Sequence, residues 1–358
     1  MKSKAGLAGV VVPAHADGRF ARETVTSLLE AVEVAGRAAV VILVDNGDND
    51  GFDGGLPSDS RLLVVETSKQ GPGYARTAGA KALGAYAAAR NVSADETWLV
   101  SLDADVSIEA DFLLSWLELI EAAEAEILVA PALFAALGGE AALATDVASA
   151  SEWMWKDTAL WERFVGVVNV GGCNHAVSLA TCSALSYYLQ PTEQLAGQSV
   201  LVAGDDWDFG LRARLLGKSI ARVNAPLVRT SSRRIALNPT DFLAGHAYEH
   251  GFEPVRDVSA GPTWPPEERW SAIAKRGRAR LVAHFLLKPL LAGVPVDGAL
   301  SWFLGTELAD GLDQLVSRLA RWTPEVEWNE YRGELLRFIF SEDVFGWCSA
   351  AAQQVSGG

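Results

Sequence analysis

Residues 99–108 read LVSLDADVSI. Leu99, Val100 and Leu102 are apolar and Val100 is β-branched, so the stretch reads as a buried strand. Asp103 and Asp105 then stand one residue apart at its carboxyl end. Burying an unpaired carboxylate is costly, and two like charges this close repel. A strand that ends this way needs a partner for its acids.

Working outward, apolar runs recur on both sides. AGVVVPA (8–14), AVVILVDN (39–46), RLLVVETS (61–68) and TWLVSLDAD (97–105) read as four strands. Residues 21–35 place Val25, Leu28, Leu29 and Val32 at helical spacing. GPGYARTAGAKALGAYAAAR (71–90) reads as a glycine-rich turn leading into an alanine-rich helix. Strands separated by helices imply crossover connections and a mostly parallel sheet, and uniformly apolar strands fit a sheet covered on both faces. Polar residues collect just past the strand ends: His15 and Asp17, Asp45 and Asn46, Asp103 and Asp105. Ligands of open parallel sheets bind outside that edge.

Further along, residues 110–126 read as a helix and AEILVAPAL (125–133) as another strand. VVNVGGCNHAVS (167–178) has a Gly-Gly turn between two apolar stretches. AGDDWDFGLRARLLG (203–217) opens a helix with three acids. Beyond SSRRIALNP (231–239) the strand signals stop and the pattern is helical, with six tryptophans that read as core. The reading is an α/β fold at 1–237, with a helical region at 238–358 for acceptor recognition, a lid or an oligomer contact.

The totals narrow the function. The 358 residues are 49% hydrophobic, enough for a sizeable core, and the net charge is −15. A general nucleic-acid binder needs a basic face, so nucleic acid is excluded as a partner. An anionic substrate must be met by a local device, because the overall field repels it. Three cysteines without metal-ligand spacing point to a reducing, cytoplasmic setting. The apolar stretch 281–304 is broken by His284, Lys288, Pro289, Pro295 and Asp297, so no membrane span is expected.

Asp103 and Asp105, two apart in an extended chain, face one side and make a hard oxygen site for Mg²⁺ or Mn²⁺. The plainer reading is a solvated turn with Asp103 capping the next helix. Of Asp205, Asp206 and Asp208, helix capping accounts for at least one; another can serve as general base. Gly71, Gly73, Arg76 and Lys81 can form a phosphate-holding turn. Gly171 and Gly172 allow close approach of backbone to a ligand. His175 is as well explained by a satisfied core position as by a site. VRTSSRR (228–234) is a basic patch that fits a pyrophosphate or a solvated loop.

Taken in order, VVVPAHADGRFARETVTSLLEAV, VILVDNGDNDG, GPGYARTAGAKA, WLVSLDADVSI, GGCNHAVS and GDDWDFGLRARLLG resemble the family 2 glycosyltransferases with the GT-A fold, over about residues 8–235. The resemblance implies a mostly parallel, Rossmann-like sheet and inverting, metal-assisted transfer of a hexose. The donor is a nucleotide-diphosphate sugar, UDP favoured, and the acceptor is a hydroxyl. It implies Asp105 as the direct metal ligand and Asp103 as the contact to ribose or metal-bound water. Pro13, His15, Asp45 and Arg76 fall on the nucleoside, and Asp206 on the catalytic base. Asp205 replaces the family's glutamate and, with Gly172, Arg233 and Arg234, is assigned to acceptor or phosphate contacts. Many relatives place a histidine past the last strand as a third metal contact; RTSSRR stands there instead. His246 and His250 lie further on, and Arg233 and Arg234 can take over part of the neutralisation of the diphosphate. A non-catalytic nucleotide-sugar-binding or scaffold protein and a sugar-phosphate nucleotidyltransferase are the alternatives, the latter lacking its usual glycine- and arginine-rich signature after the first strand.

Overall fold

The first strand, β1 (Leu7–Ala14), is buried almost throughout. It pairs in parallel with β2 (Ala39–Asp45) on one side and β4 (Thr97–Ser101) on the other. A computed structural model describes residues 5–15, 18–47, 55–137, 168, 170–189, 192–195, 198–201 and 205–233. The expected helical region 238–358, the boundary near 237, Asp17, Arg234, His246 and His250 lie outside the described residues.

The remaining elements are α1 (Gly18–Ala35), β3 (Leu62–Glu66), α2 (Pro72–Ala88), β5 (Val106–Ser107), α3 (Phe112–Ala122), β6 (Ile127–Val129), β7 (Ala132–Ala135), β8 (His175–Ser178), α4 (Leu179–Ala184), β9 (Thr192–Leu195), β10 (Gln198–Leu201), α5 (Asp205–Leu215), β11 (Ile220–Arg222) and β12 (Val228–Ser231). Seven strands form the main sheet in the order β11-β6-β8-β4-β1-β2-β3. All neighbours in it are parallel except those of β8, which runs against both β4 and β6. β9 and β10 make a hairpin.

Alternation along the strands makes two apolar layers, because successive side chains leave opposite faces. Val10, Val12, Val41, Leu43 and Val100 meet Val25, Leu28 and Leu29 of α1 and Trp116 and Leu117 of α3. Leu7, Val11, Ile42, Val44 and Leu99 meet Ala75, Ala80 and Leu83 of α2 and Phe209 and Ala213 of α5. The sheet is therefore covered on both faces, as its uniformly apolar strands require. A buried Leu or Val side chain contributes roughly 1.5–3 kcal/mol.

α2 lies unusually close to the sheet. A Cβ added at Gly79 would sit 2.3 Å from Val11 Cγ1, so only hydrogen fits between helix and strand. This close approach carries Arg76, one turn earlier on α2, over the end of β4.

The run expected as one strand over 125–133 is divided. β6 ends at Val129 in the main sheet, and β7 begins at Ala132 in a second, three-stranded sheet ordered β5-β12-β7. Pro131 lies between them and has no N–H for a ladder. In the second sheet β12 pairs antiparallel with β5 and parallel with β7. That pairing brings residues 231–233 against the Asp103–Asp105 turn: Ser231 N donates to Asp105 O at 2.8 Å and Ser232 N to Ala135 O at 2.9 Å.

Candidate active site

The carboxyl ends of β1, β2 and β4 share one edge of the main sheet, and the turn before β8 reaches the same edge. Asn174 N donates to Ser101 O at 2.8 Å, and Ala130 N donates to Asn174 O at 3.0 Å. Asn174 has φ +64, a backbone that Asn tolerates better than most residues. Its side chain is fully used. Nδ2 donates to Pro131 O and Pro226 O, and Oδ1 accepts from Trp116 Nε1. One asparagine thus ties β4, β6, α3 and the loop before β12 together beneath the rim.

β4 ends at Ser101, so Asp103 and Asp105 stand on a turn rather than in the strand. They are not two positions of one extended strand, and they meet different partners. Asp103 Oδ1 accepts from Arg76 Nη2 at 2.7 Å. Asp105 Oδ2 stands 3.1 Å from Arg233 Nη2. The turn is held from below by Thr24 of α1, whose Oγ1 donates to Ala104 O (2.8 Å) and Val106 O (3.0 Å) and accepts from Val106 N (3.2 Å). Capping of the next helix by Asp103 is not what is seen, since Asp111 precedes α3.

Arg76 is the hub. Nη1 donates to Asp205 Oδ2 at 2.7 Å and Nε to Ser101 Oγ at 3.0 Å. Ser101 Oγ in turn donates to Gly172 O at 2.9 Å. The Arg76 side chain is 4% exposed and that of Asp205 6%, whereas Asp103 is 38% exposed. Burial disfavours the Arg76 charge, but Asp205, Asp103 and more weakly Asp206 offset it and leave the guanidinium more firmly protonated than usual. Gly172 is required by the same packing: a Cβ there would lie 2.5 Å from Arg76 Nη2 and 3.1 Å from Cζ. Arg76, expected on the nucleobase, spends these donors inside the protein.

The three acids that open α5 divide their work. Asp205 pairs with Arg76. Asp208 pairs with Arg212 at 2.7 Å, one turn along the helix. Asp206 is half-buried and near enough to Arg76 to act on its charge. The 103–105 turn and the 205–206 turn, about a hundred residues apart in sequence, are therefore joined through Arg76.

The other expected residues fall along the same edge. Pro13 and Ala14 pair with Val44 and Asp45 in the β1–β2 register. Asp45 is buried, and its Oδ1 accepts from Gly47 N at 3.2 Å. His15, half-buried, follows β1, and its Nδ1 has no hydrogen-bond partner. Asn46 is buried beside it with Oδ1 likewise unpartnered, while its N donates to Ala14 O at 2.9 Å. His175 proves to be a core histidine. Its Nε2 lies 2.6 Å from the Tyr188 hydroxyl, and Tyr188 stacks on Phe209 of α5 with centroids 4.5 Å apart. Burial, helped by the charge of Arg76, pushes the His175 pKa down to about 3. Cys173 is a free thiol that burial, with Asp103 nearby, keeps well above the usual range, so it is no thiolate nucleophile.

Ser101, Thr24, Asn174 and Phe20 were not singled out by sequence reasoning. Phe20 lies under Arg233, whose Cζ is 4.5 Å from the ring centroid. Thr24 carried a usable signal, a polar side chain beside the apolar face of α1.

The donor set bears on a divalent cation. Among the described residues no cluster of three or more His, Cys, Asp or Glu side chains is placed to hold one. Two carboxylates are nevertheless the protein share that a magnesium-type ion takes when phosphates and water complete its shell. The two carboxylates of the 103–105 turn are compatible with such an ion.

A covered, mostly parallel sheet with an acid-lined carboxyl edge defines an α/β protein, and that edge is where ligands of open parallel sheets bind. Residues 9–139 match the family model described as Glycosyl transferase family 2. The match includes Pro13, Asp45, Arg76, Asp103 and Asp105 and stops before the 170–233 segment. No curated protein matches the sequence. Two solved structures can be laid over the chain. S. aureus TarS 1-349 in complex with UDP-GlcNAc is 13% identical, covering 96% of this chain and 87% of that one, with a TM-score of 0.43. Glucosyl-3-phosphoglycerate synthase from Mycobacterium tuberculosis, with Mn2+, UDP and phosphoglyceric acid, is 16% identical over 82% and 80%, with a TM-score of 0.40. Overlap this loose says nothing specific about the present site. No helix among the described residues is long and apolar enough to cross a membrane.

Proposed function

We propose that the protein transfers a sugar, a hexose, from a nucleotide-diphosphate donor, UDP favoured, to an acceptor hydroxyl with inversion, in the cytoplasm. One observation carries the reading: Arg76 joins Asp103 and Asp205 at 2.7 Å each, which supports the 103–105 and 205–206 turns acting together.

The nucleoside lies along the ends of β1 and β2, against Pro13, His15 and Asp45, with Asp103 at the ribose. The diphosphate lies over the 103–105 turn, within reach of Arg233, with Arg234 next in sequence. Asp206 accepts the proton of the acceptor hydroxyl. The hydroxyl oxygen bonds to the anomeric carbon as the bond to the diphosphate oxygen breaks on the opposite face, and the nucleoside diphosphate leaves with that electron pair. Arg76 holds Asp205, and through it the start of α5, at a fixed distance from Asp103, so the base and the donor are pre-positioned. Gly172 lets backbone approach this hub. A divalent cation held by Asp105, with Asp103 beside it, supplies charge stabilisation to the leaving diphosphate when bound.

The test is release of free nucleoside diphosphate from a panel of nucleotide sugars, with and without sugar, polyol and phosphorylated hydroxy-acid acceptors. Acceptor-stimulated release supports the reading. Binding without release would make the protein a scaffold, and exchange of pyrophosphate into the nucleotide sugar would make it a nucleotidyltransferase.

A further inference from the structure

The two ion pairs of the rim are built differently. Arg76 rises from the middle of a helix packed on the sheet and closes short bonds to two acids and a serine. Arg233 lies just past the end of β12. Its N donates to Ser231 Oγ at 3.2 Å, and its guanidinium covers Phe20 and meets Asp105 at 3.1 Å. Both members of that pair are largely withdrawn from water, at 3% and 12% exposure.

A carboxylate so placed needs a counter-charge before any ligand arrives, and Arg233 supplies it. A guanidinium and a divalent cation on one carboxylate repel each other, so an ion arriving alone must work against Arg233. A diphosphate arriving alone meets the acids of the rim in a protein of net charge −15. Together they solve both problems. The diphosphate offers Arg233 a two-oxygen acceptor that suits its fork, and the vacated carboxylate takes the ion.

From this geometry we propose that Arg233 is the resident counter-ion of Asp105, exchanged for a divalent cation only when a nucleotide diphosphate is present to receive the guanidinium. The inference rests on the reading that this site takes a nucleotide diphosphate. Its consequence is reciprocal: nucleotide raises metal affinity and metal raises nucleotide affinity by the same factor. Arg233 is in this sense a positioning residue that enforces joint binding.

The experiment uses the full chain and reads Mn²⁺ binding by electron paramagnetic resonance, with Mn²⁺ alone and with UDP added. The wild type is expected to bind Mn²⁺ at least tenfold more tightly with UDP than without. Arg233→Gln is expected to bind Mn²⁺ alone at least tenfold more tightly than the wild type, with the UDP effect reduced below threefold. Arg233→Lys, which keeps the charge, is expected to hold metal-only affinity within threefold of the wild type and serves if the Gln variant does not fold. Equal Mn²⁺ affinity in wild type and Arg233→Gln, or tenfold tightening in Arg233→Lys, overturns the proposal. If UDP fails to bind under every condition, the functional reading falls, while the Mn²⁺-only comparison still decides the role of Arg233.

Discussion

Two arginines flank the same acidic turn, and they differ in what surrounds them. Arg76 is enclosed by Ser101, Asp103, Asp205 and the backbone at Gly172. Arg233 rests on an aromatic face and pairs with the acid that the diphosphate site would use. The first arrangement locks a distance between segments, whereas the second can be traded for a ligand. An arginine in an acidic site is therefore either scaffold or exchangeable charge.

The largest effect should come from breaking the locked side. Arg76→Ala leaves the carboxylate of Asp205 buried without its partner, and removing one member of a buried pair costs about 3–5 kcal/mol. Urea unfolding should show a loss of that size, and a loss under about 1 kcal/mol would class Arg76 with surface pairs. Gly172→Ala acts on the same hub through space. Its Cβ needs Arg76 to move although two acids hold it, and overpacking of this kind costs roughly 1–3 kcal/mol. Turnover should fall in parallel; an alanine variant with wild-type stability and rate would mean that the hub is loose. Arg233→Gln should cost less than Arg76→Ala, about 1.5–3 kcal/mol for one charged hydrogen bond, and equal costs would erase the distinction.

Acid titrates a third element of the locked side. His175 has a folded pKa of about 3, below its usual 6.5, so the unfolded chain binds the extra proton first. Its contribution to stability is complete above about pH 6.5 and is lost as pH falls toward 3, with a slope of up to about 1.4 kcal/mol per pH unit. Replacing His175 by Gln should remove that portion of the slope, and an unchanged profile would contradict the assignment of His175 as a neutral core residue. The smallest effect should be that of Thr24→Val, which loses the bonds to Ala104 and Val106 for about 1 kcal/mol and weakens nucleotide binding by loosening the turn. If affinity and stability both stay unchanged, Thr24 does not brace it.

The third of the chain before residue 125 was legible in the sequence because its signals are periodic. Val25, Leu28, Leu29 and Val32 fall on one face of α1, and all are buried. β1, β2, β3 and β4 stand where their apolar runs do. The stretch beyond it was less legible for physical reasons. The run 125–133 contains Pro131, and hydropathy alone does not say that the chain changes sheets there. Spacing placed Asp103 and Asp105 on one side, but the strand stops at Ser101 and the direction of each carboxylate is then set by an arginine from a distant segment. The acids themselves were found because charged residues at the ends of apolar strands stand out. Ser101, Thr24 and Asn174 did not stand out, because each is a small polar residue whose importance comes from backbone groups brought in from elsewhere.

The account depends most on the 103–105 and 205–206 turns serving one bound nucleotide sugar. The direct measurement is nucleoside diphosphate release by Asp206→Asn and by the wild type on the same donor and acceptor, with UDP affinity measured on both by calorimetry. The expected result is release reduced at least about a hundredfold, in line with loss of a general base, with UDP affinity held within about threefold, a difference under 1 kcal/mol. Wild-type release from Asp206→Asn would contradict the shared site.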